Sequence, residues 1–230
     1  MFNVVSGTIK NLTLTGEYKA YQRAGGICYR FKGTMSNCIN KVNISQASSF
    51  RDLGAFVGYA DGKYSLINCI NYGNINCNGS KNGGGMIGTD WSGSSASVIY
   101  NCINFGNVGS AIQYTTIGSD NKATIANYYN YGECSNFGLA SNTYKNCYSL
   151  EDKVATINTE IIIEKSEEYM KSQDFIDNLN GYIESNTDEI NTKNWCKWVA
   201  GSNNLPVLDF SLIWNPTAGE EGTGAFVPVT

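Results

Sequence analysis

The chain has 230 residues, with 16 Lys plus Arg against 20 Asp plus Glu, no His and a formal net charge of -4. That balance gives no electrostatic footprint for nucleic acid or an anionic lipid surface, and no basic stripe interleaves with the tyrosines. With 25 Gly, 3 Pro and 42% hydrophobic residues, the composition is that of an ordered chain, and no apolar run is long enough to insert in a membrane.

The chain opens with Met-Phe-Asn-Val-Val, without a charged leader and apolar core, so a signal peptide is not expected in this stretch. VSGTIKNLTLTG, residues 5 to 16, reads as the second half of a repeat, as in an excised fragment. Fuller copies follow: MSNCINKVNI from Met35, LINCINYGNI from Leu66, IYNCINFGNV from Ile99, IANYYNYGEC from Ile125 and a decayed YKNCYSL from Tyr144. Their cysteine position is held by Cys38, Cys69, Cys102, Tyr128 and Cys147, at spacings of 31, 33, 26 and 19. A second motif alternates with the first, as GGIC at Gly25, GAFVG at Gly54, GGMIG at Gly84 and a weaker TTIG at Thr115. Two motifs in fixed order define one structural unit that buries its apolar face against the next.

Within a unit, apolar residues come in runs of two to four, rich in β-branched and aromatic types and interrupted by Gly or Asn. This pattern predicts short strands joined by turns. Repeated at this period, it predicts an all-β fold over residues 1–155: a right-handed parallel β-helix, a solenoid of four to five coils with two to three short strands in each.

In such a stack, residues at one repeat position lie above one another. Asn37, Asn68, Asn101, Asn127 and Asn146 then form one column and Asn40, Asn71, Asn104 and Asn130 another, each amide able to bond the next or the turn backbone. Gly73, Gly106 and Gly132 are expected where a turn needs positive φ, a position held by Val42 in the first copy. Cys38, Cys69 and Cys102 are explained by the repeat, and Cys28 and Cys134 stand where other copies have Val or Ile. Cysteine here acts as a small apolar residue, and buried thiols are expected in preference to disulfides or a metal site.

After Leu150 the pattern changes. Residues 156–214 read as a mixed α and irregular C-terminal cap over the last coil. Ser166 or Ser172 starts short helices, one with Phe175, Ile176, Leu179 and Tyr182 on a face, and Trp195, Trp198, Leu205, Val207 and Leu208 add apolar bulk. Residues 215–230 read as a linker.

Candidate chemistry is sparse. Asp61, Asp90 and Asp120 recur after glycine at spacings of 29 and 30 and are weak candidates for a catalytic carboxylate column, although Gly-x-Asp is also an ordinary turn. No Arg or Lys recurs beside them, and the lack of His removes the commonest general base. Trp91, Tyr64 and Tyr114 lie on or near the variable excursions and are weak candidates for stacking on sugar rings. No metal site and no cofactor is indicated.

The alternation of these motifs resembles the glycine-rich repeats of bacterial surface proteins that carry the GLUG motif. The tail, with MKS from Met170, NLN from Asn178, Trp195, Trp198 and LPVLDF from Leu205, is similar to the segment that closes such arrays. The chain departs from the fuller form: the name motif appears only as FVG and MIG, and Thr115 and Thr116 replace both leading glycines of the fourth copy. The resemblance implies a secreted or wall-attached protein of the bacterial cell surface, adhesin-like, whose repeats have no known activity and occur beside protease domains as well as in adhesins. The resulting expectation is a non-catalytic structural or adhesive module, monomeric and extracellular, whose partner is a glycan or a surface protein. The alternatives are a polysaccharide lyase or glycoside hydrolase using carboxylates on the β-helix face, and a glycan-binding module.

Overall fold

The computed structural model describes residues 2–21, 23–47, 52–77, 82–92, 96–109, 112–118, 122–157, 161–186 and 194–211. The segment 215–230 and Asp120 lie outside these residues.

The fold is all-β around parallel sheets, as the strand-and-turn pattern predicts. Among the described residues, one sheet has 13 strands, a second has six and a third is a two-stranded antiparallel pair. In the two larger sheets every pairing is parallel, and each strand bonds its counterpart in the next repeat. Phe2–Lys10 pairs with Cys28–Ser36, which pairs with Val57–Ile67; further along, Val98–Asn104 pairs with Thr124–Asn130 and then Thr143–Leu150. The register follows the sequence period, so Cys102, Tyr128 and Cys147 are direct partners, and Ile103, Tyr129 and Tyr148 are the next set. The ladder continues to Ile162–Lys165, which pairs with Thr143–Leu150 beyond the expected end of the repeats at residue 155.

The chain bends at one asparagine per repeat, which lies between two strands at Asn11, Asn37 and Asn68 and inside a strand at Asn101, Asn127 and Asn146. Asn11, Asn37, Asn68, Asn101, Asn127 and Asn146 all have φ between 51° and 57°. This corrects the assignment of the left-handed residue to glycine. The Asn side chain tolerates that region at small cost. Gly73, Gly106 and Gly132 do not have positive φ; they are required by close approach. A Cβ on Gly106 would collide with the carbonyl oxygen of Gly73, and one on Gly132 with that of Gly106.

The main core lies between the sheets and contains the cysteine position, Ile44, Ile75, Val108 and Phe31. All eight cysteines are free and buried. Burial pushes the Cys28, Cys77, Cys134 and Cys147 thiols up to about 12, so they pack as neutral apolar groups.

Two helices follow the last parallel strand. α1 (Glu167–Met170) is capped by Ser166, whose Oγ accepts from the Tyr169 amide, and α2 (Gln173–Ser185) by Ser172, which accepts from Phe175. Together with the antiparallel pair Trp198–Ala200 and Pro206–Leu208 they form an arm. The described contacts lay this arm along the flank of the sheet rather than over its final strand. Phe175, Ile176, Leu179, Trp198 and Leu208 cover the outward side chains of Ile70, Ile103, Tyr129 and Tyr148, which belong to four successive repeats.

Candidate functional site

The asparagine columns are hydrogen-bonded along their length. In the inner column, Asn40 donates to Asn71 at 2.8 Å, Asn71 to Asn104 at 2.7 Å and Asn104 to Asn130 at 2.8 Å. Asn71 also donates to the Gly73 carbonyl and accepts from the Gly73 amide, which fills both donors and both acceptor positions. The outer column runs in the opposite sense: Asn68 donates to Asn37, Asn101 to Asn68 and Asn127 to Asn101. Its remaining capacity is taken by the arm. Asn68 donates to the carbonyl of Asn194 and accepts from the amide of Cys196, while Asn101 donates to the carbonyl of Cys196 and accepts from the indole of Trp198.

A third asparagine column on the outer surface was not anticipated from the sequence. Asn43, Asn74 and Asn107 accept from the amides of Asn74, Asn107 and Glu133, each at 2.9 Å. The signal was the polar residue before each inward Ile or Val, as in VNI, GNI and GNV. Beside it, Tyr72 and Phe105 stack with centroids 4.9 Å apart, and Lys41 lies over Tyr72. Stacked along the ladder, these rings cover one another. An open hollow of about 400 Å³ lies nearby, lined by Glu17, Lys19, Asn43, Ser45, Asn74 and Asn76.

Asp61 and Asp90 do not stand in one column. The ladder between Val57–Ile67 and Ile87–Asp90 advances by 30 residues, pairing Ala60 with Asp90. Asp61 and Asp90 are 29 apart in sequence, and in a strand one residue of offset places a side chain on the opposite face. Asp90 therefore points inward at 1% exposure. It accepts from the Tyr64 hydroxyl at 2.9 Å and the Ser92 amide at 2.7 Å. Burial, reinforced by the Asp90 charge and hydrogen bond, holds the Tyr64 phenol well above its ordinary value, so it remains a donor. Asp61 faces outward and is paired with Arg30.

The three aromatic candidates also separate. Tyr64 is completely buried, which removes it as a stacking surface. Tyr114 is half-buried in the six-stranded sheet, where it pairs with Gly84 and Asn136. Trp91 alone is outward and 55% exposed.

Around Trp91 the fold assembles residues that are distant in sequence. The Tyr59 ring meets its edge at 5.5 Å. The Arg23 guanidinium lies 4.8 Å from the Trp91 centroid and 5.1 Å from that of Tyr59, held there by Asp52, which accepts from Nε at 3.0 Å. Arg30 lies 5.7 Å from the Tyr59 centroid. These cations do not recur along the repeats, so periodicity gave no sign of them; the parallel register brings Arg30 beside Tyr59. The result is an aromatic and cationic cluster in which Trp91 and Arg30 are exposed, while the Arg23 side chain is 13% exposed.

No protein-family model matches the chain, and no curated protein matches it. Among solved structures, the chain is similar to the crystal structure of a Bacteroides ovatus protein provisionally named an immunoglobulin A1 protease. The TM-score is 0.58 over 91% of this chain and 70% of that chain, at 17% identity, a likeness of fold alone.

Proposed function

We propose that the chain is a right-handed parallel β-helix of the GLUG-repeat kind, acting as a non-catalytic structural or adhesive module of a secreted or wall-attached bacterial protein. The observation that carries this reading is the satisfaction of the recurrent polar residues by one another. Asn71 and Asn101 have every donor and acceptor position occupied by protein partners, which leaves nothing on those columns for a substrate. Successive parallel pairings at the repeat period support the helical winding.

The catalytic alternatives receive less support. A glycosidase needs two carboxylates facing one substrate, about 5 to 9.5 Å apart; Asp90 is buried against Tyr64, and Asp61 is on the other face, tied to Arg30. The protease name of the structural neighbour also finds little support within this chain. There is no His to build a serine or cysteine triad, and the thiols are buried. Incubation of the purified chain with pectin, xylan or immunoglobulin A1 is expected to release no reducing ends and no peptide fragments. Cleavage of any of the three, lost on an Asp61→Asn substitution, would overturn the non-catalytic reading.

A second reading, glycan binding, is favoured by the exposure of Trp91 beside Tyr59, Arg23 and Arg30. On this reading the repeats supply a rigid frame, and the non-recurring cluster supplies adhesion.

A further inference from the structure

Resting on the glycan-binding reading, we propose that the surface around Trp91 selects an anionic sugar: a ring bearing a carboxylate or sulfate, stacked on the indole and held by Arg23 and neighbouring lysines. Three features point to that charge.

The first is the state of the carboxylates. Both acids of the cluster are already engaged, Asp52 by Arg23 and Asp61 by Arg30. Asp52 is also buried, so it offers little repulsion to an arriving anion.

The second is an excess of cations. The ladder between Cys28–Ser36 and Val57–Ile67 shifts register between Phe31 and Gly33, where Phe31 pairs with Ala60 but Gly33 pairs with Tyr64. Asp61, Gly62 and Lys63 thus stand against Lys32 alone, a bulge of the kind that re-aims side chains. Lys32 and Lys63 are both exposed, and neither has an ion-pair partner among the described residues. Lys32 follows Arg30 on one strand and Lys63 follows Asp61 on the next, so two cations without an ion-pair partner among the described residues are added to two neutralised pairs, in a chain whose overall charge is -4.

The third is preorganisation. Arg23 uses Nε for Asp52 and lies over both rings, so its plane is fixed and its Nη groups have no partner among the described residues. A guanidinium held in this way meets a carboxylate or sulfate with two donors and little further loss of side-chain freedom. The indole beside it offers the apolar face of a sugar ring its contact area.

Affinity electrophoresis and calorimetry of the full chain test this, with polygalacturonate as the carboxylate probe, carrageenan as the sulfate probe, dextran as the neutral probe and single-stranded DNA as a polyanion without sugar-ring stacking. The expected result is retardation by polygalacturonate or carrageenan, the responding probe identifying the charged group, with none by dextran. Raising the salt from 50 to 300 mM should weaken it. Trp91→Ala, Arg23→Gln and Lys32→Gln should each reduce affinity, by about tenfold for the first two, which corresponds to ~1.4 kcal/mol. Lys32→Gln leaves the Arg23–Asp52 pair intact and so reports on charge with folding unperturbed. Equal, salt-insensitive retardation by dextran that is lost in Trp91→Ala would overturn the anionic class and keep the glycan reading. Retardation by no polysaccharide would overturn both. Full binding by Trp91→Ala, or equal binding to the DNA, would show a non-specific charge effect and reject the site.

Discussion

An asparagine in the inner column is worth more than its own hydrogen bonds, because removing one amide orphans the groups above, below and in the turn. Asn104 receives from Asn71, gives to Asn130 and holds the Gly106 carbonyl, all in full burial. Asn104→Ala is expected to destabilise the fold by about 1 to 3 kcal/mol, whereas Asn107→Ala, whose column faces solvent, should cost less than ~1 kcal/mol. Urea midpoints of the two variants check this, and equal losses would show that burial does not set the value of a ladder. The columns of Asn104 and Asn101 were readable from the repeat alone, since stacking explains an amide at every period. The conformational role was not: Asn and Gly both tolerate positive φ, and the sequence does not say which of them occupies the turn and which yields to a neighbouring carbonyl. The aspartates show the same limit more sharply. A spacing of 29 instead of 30 decides whether Asp61 and Asp90 share a face, and the length of a variable excursion hides which of the two is the true period.

The thiols carry a second expectation at this scale. Burial raises Cys28, Cys77, Cys134 and Cys147 from an ordinary 9.0 to about 12. The folded pKa lies above the unfolded one, so the stabilisation is fully present below about pH 9 and is lost as the pH rises toward 12. Each thiol that ionises only in the unfolded chain costs ~1.4 kcal/mol per pH unit in that window. Urea midpoints should hold between pH 7 and 8 and fall steeply by pH 10.5, and native thiols should resist a thiol reagent until denaturant is added. A midpoint at pH 10.5 equal to that at pH 7 would contradict the burial of these groups as neutral thiols.

Among the elements, the arm is where the sequence was least explicit, yet a clue was present. In N-C-I-N, Cys69 and Ile70 point to opposite sides of a strand, so they cannot both face the central core. Ile70, Ile103, Tyr129 and Tyr148 are apolar at a position that water would otherwise reach, and the arm is what covers them. The helix caps at Ser166 and Ser172 were legible from local chemistry, but the face the helices dock on depends on residues distant in sequence, such as Asn127, Tyr129 and Tyr148. The arm is also hydrogen-bonded to the outer asparagine column, with Trp198 donating its Nε1–H to Asn101 at 2.7 Å. Asn180 bridges its two parts by accepting from the Trp198 amide and donating to the Trp198 carbonyl. Trp198→Phe keeps most of the apolar contact and deletes the indole donor, and should cost about 1 to 2 kcal/mol. In Asn101→Ala, where that partner is already gone, the same change should cost measurably less. A double-mutant cycle with no coupling would show that the arm is held by apolar packing alone.

At the scale of the whole molecule, strands that pair with their counterparts in the adjoining repeats imply stability graded along the ladder rather than uniform through it. Val98–Asn104 is paired on both sides, with Val57–Ile67 and Ile70–Asn71 before it and Thr124–Asn130 after it, and its outward Ile103 lies under the arm. Among the described residues, Phe2–Lys10 is paired on one side, with Cys28–Ser36. Its exposed residues include Phe2 and Val4, and the inward side chains of the same repeat, Val5, Ile9, Leu12 and Leu14, are only partly buried against the core. Less apolar area is therefore removed from water in this layer, while the backbone entropy lost on ordering it is the same per residue. Hydrogen exchange should rank the layers accordingly. Amides of Thr13–Ala20 are expected to exchange orders of magnitude faster than those of Val98–Asn104 and Thr124–Asn130, with Ile39–Gln46 between them. A conservative thinning of the packing beneath the arm, Ile103→Val, should accelerate exchange in the middle layers and leave the first layer's rate unchanged, as expected if that layer opens independently. Protection that is equal from Thr13 to Asn130, or that falls everywhere together in Ile103→Val, would mean the stack unfolds as one unit and that its ends are as firmly held as its centre.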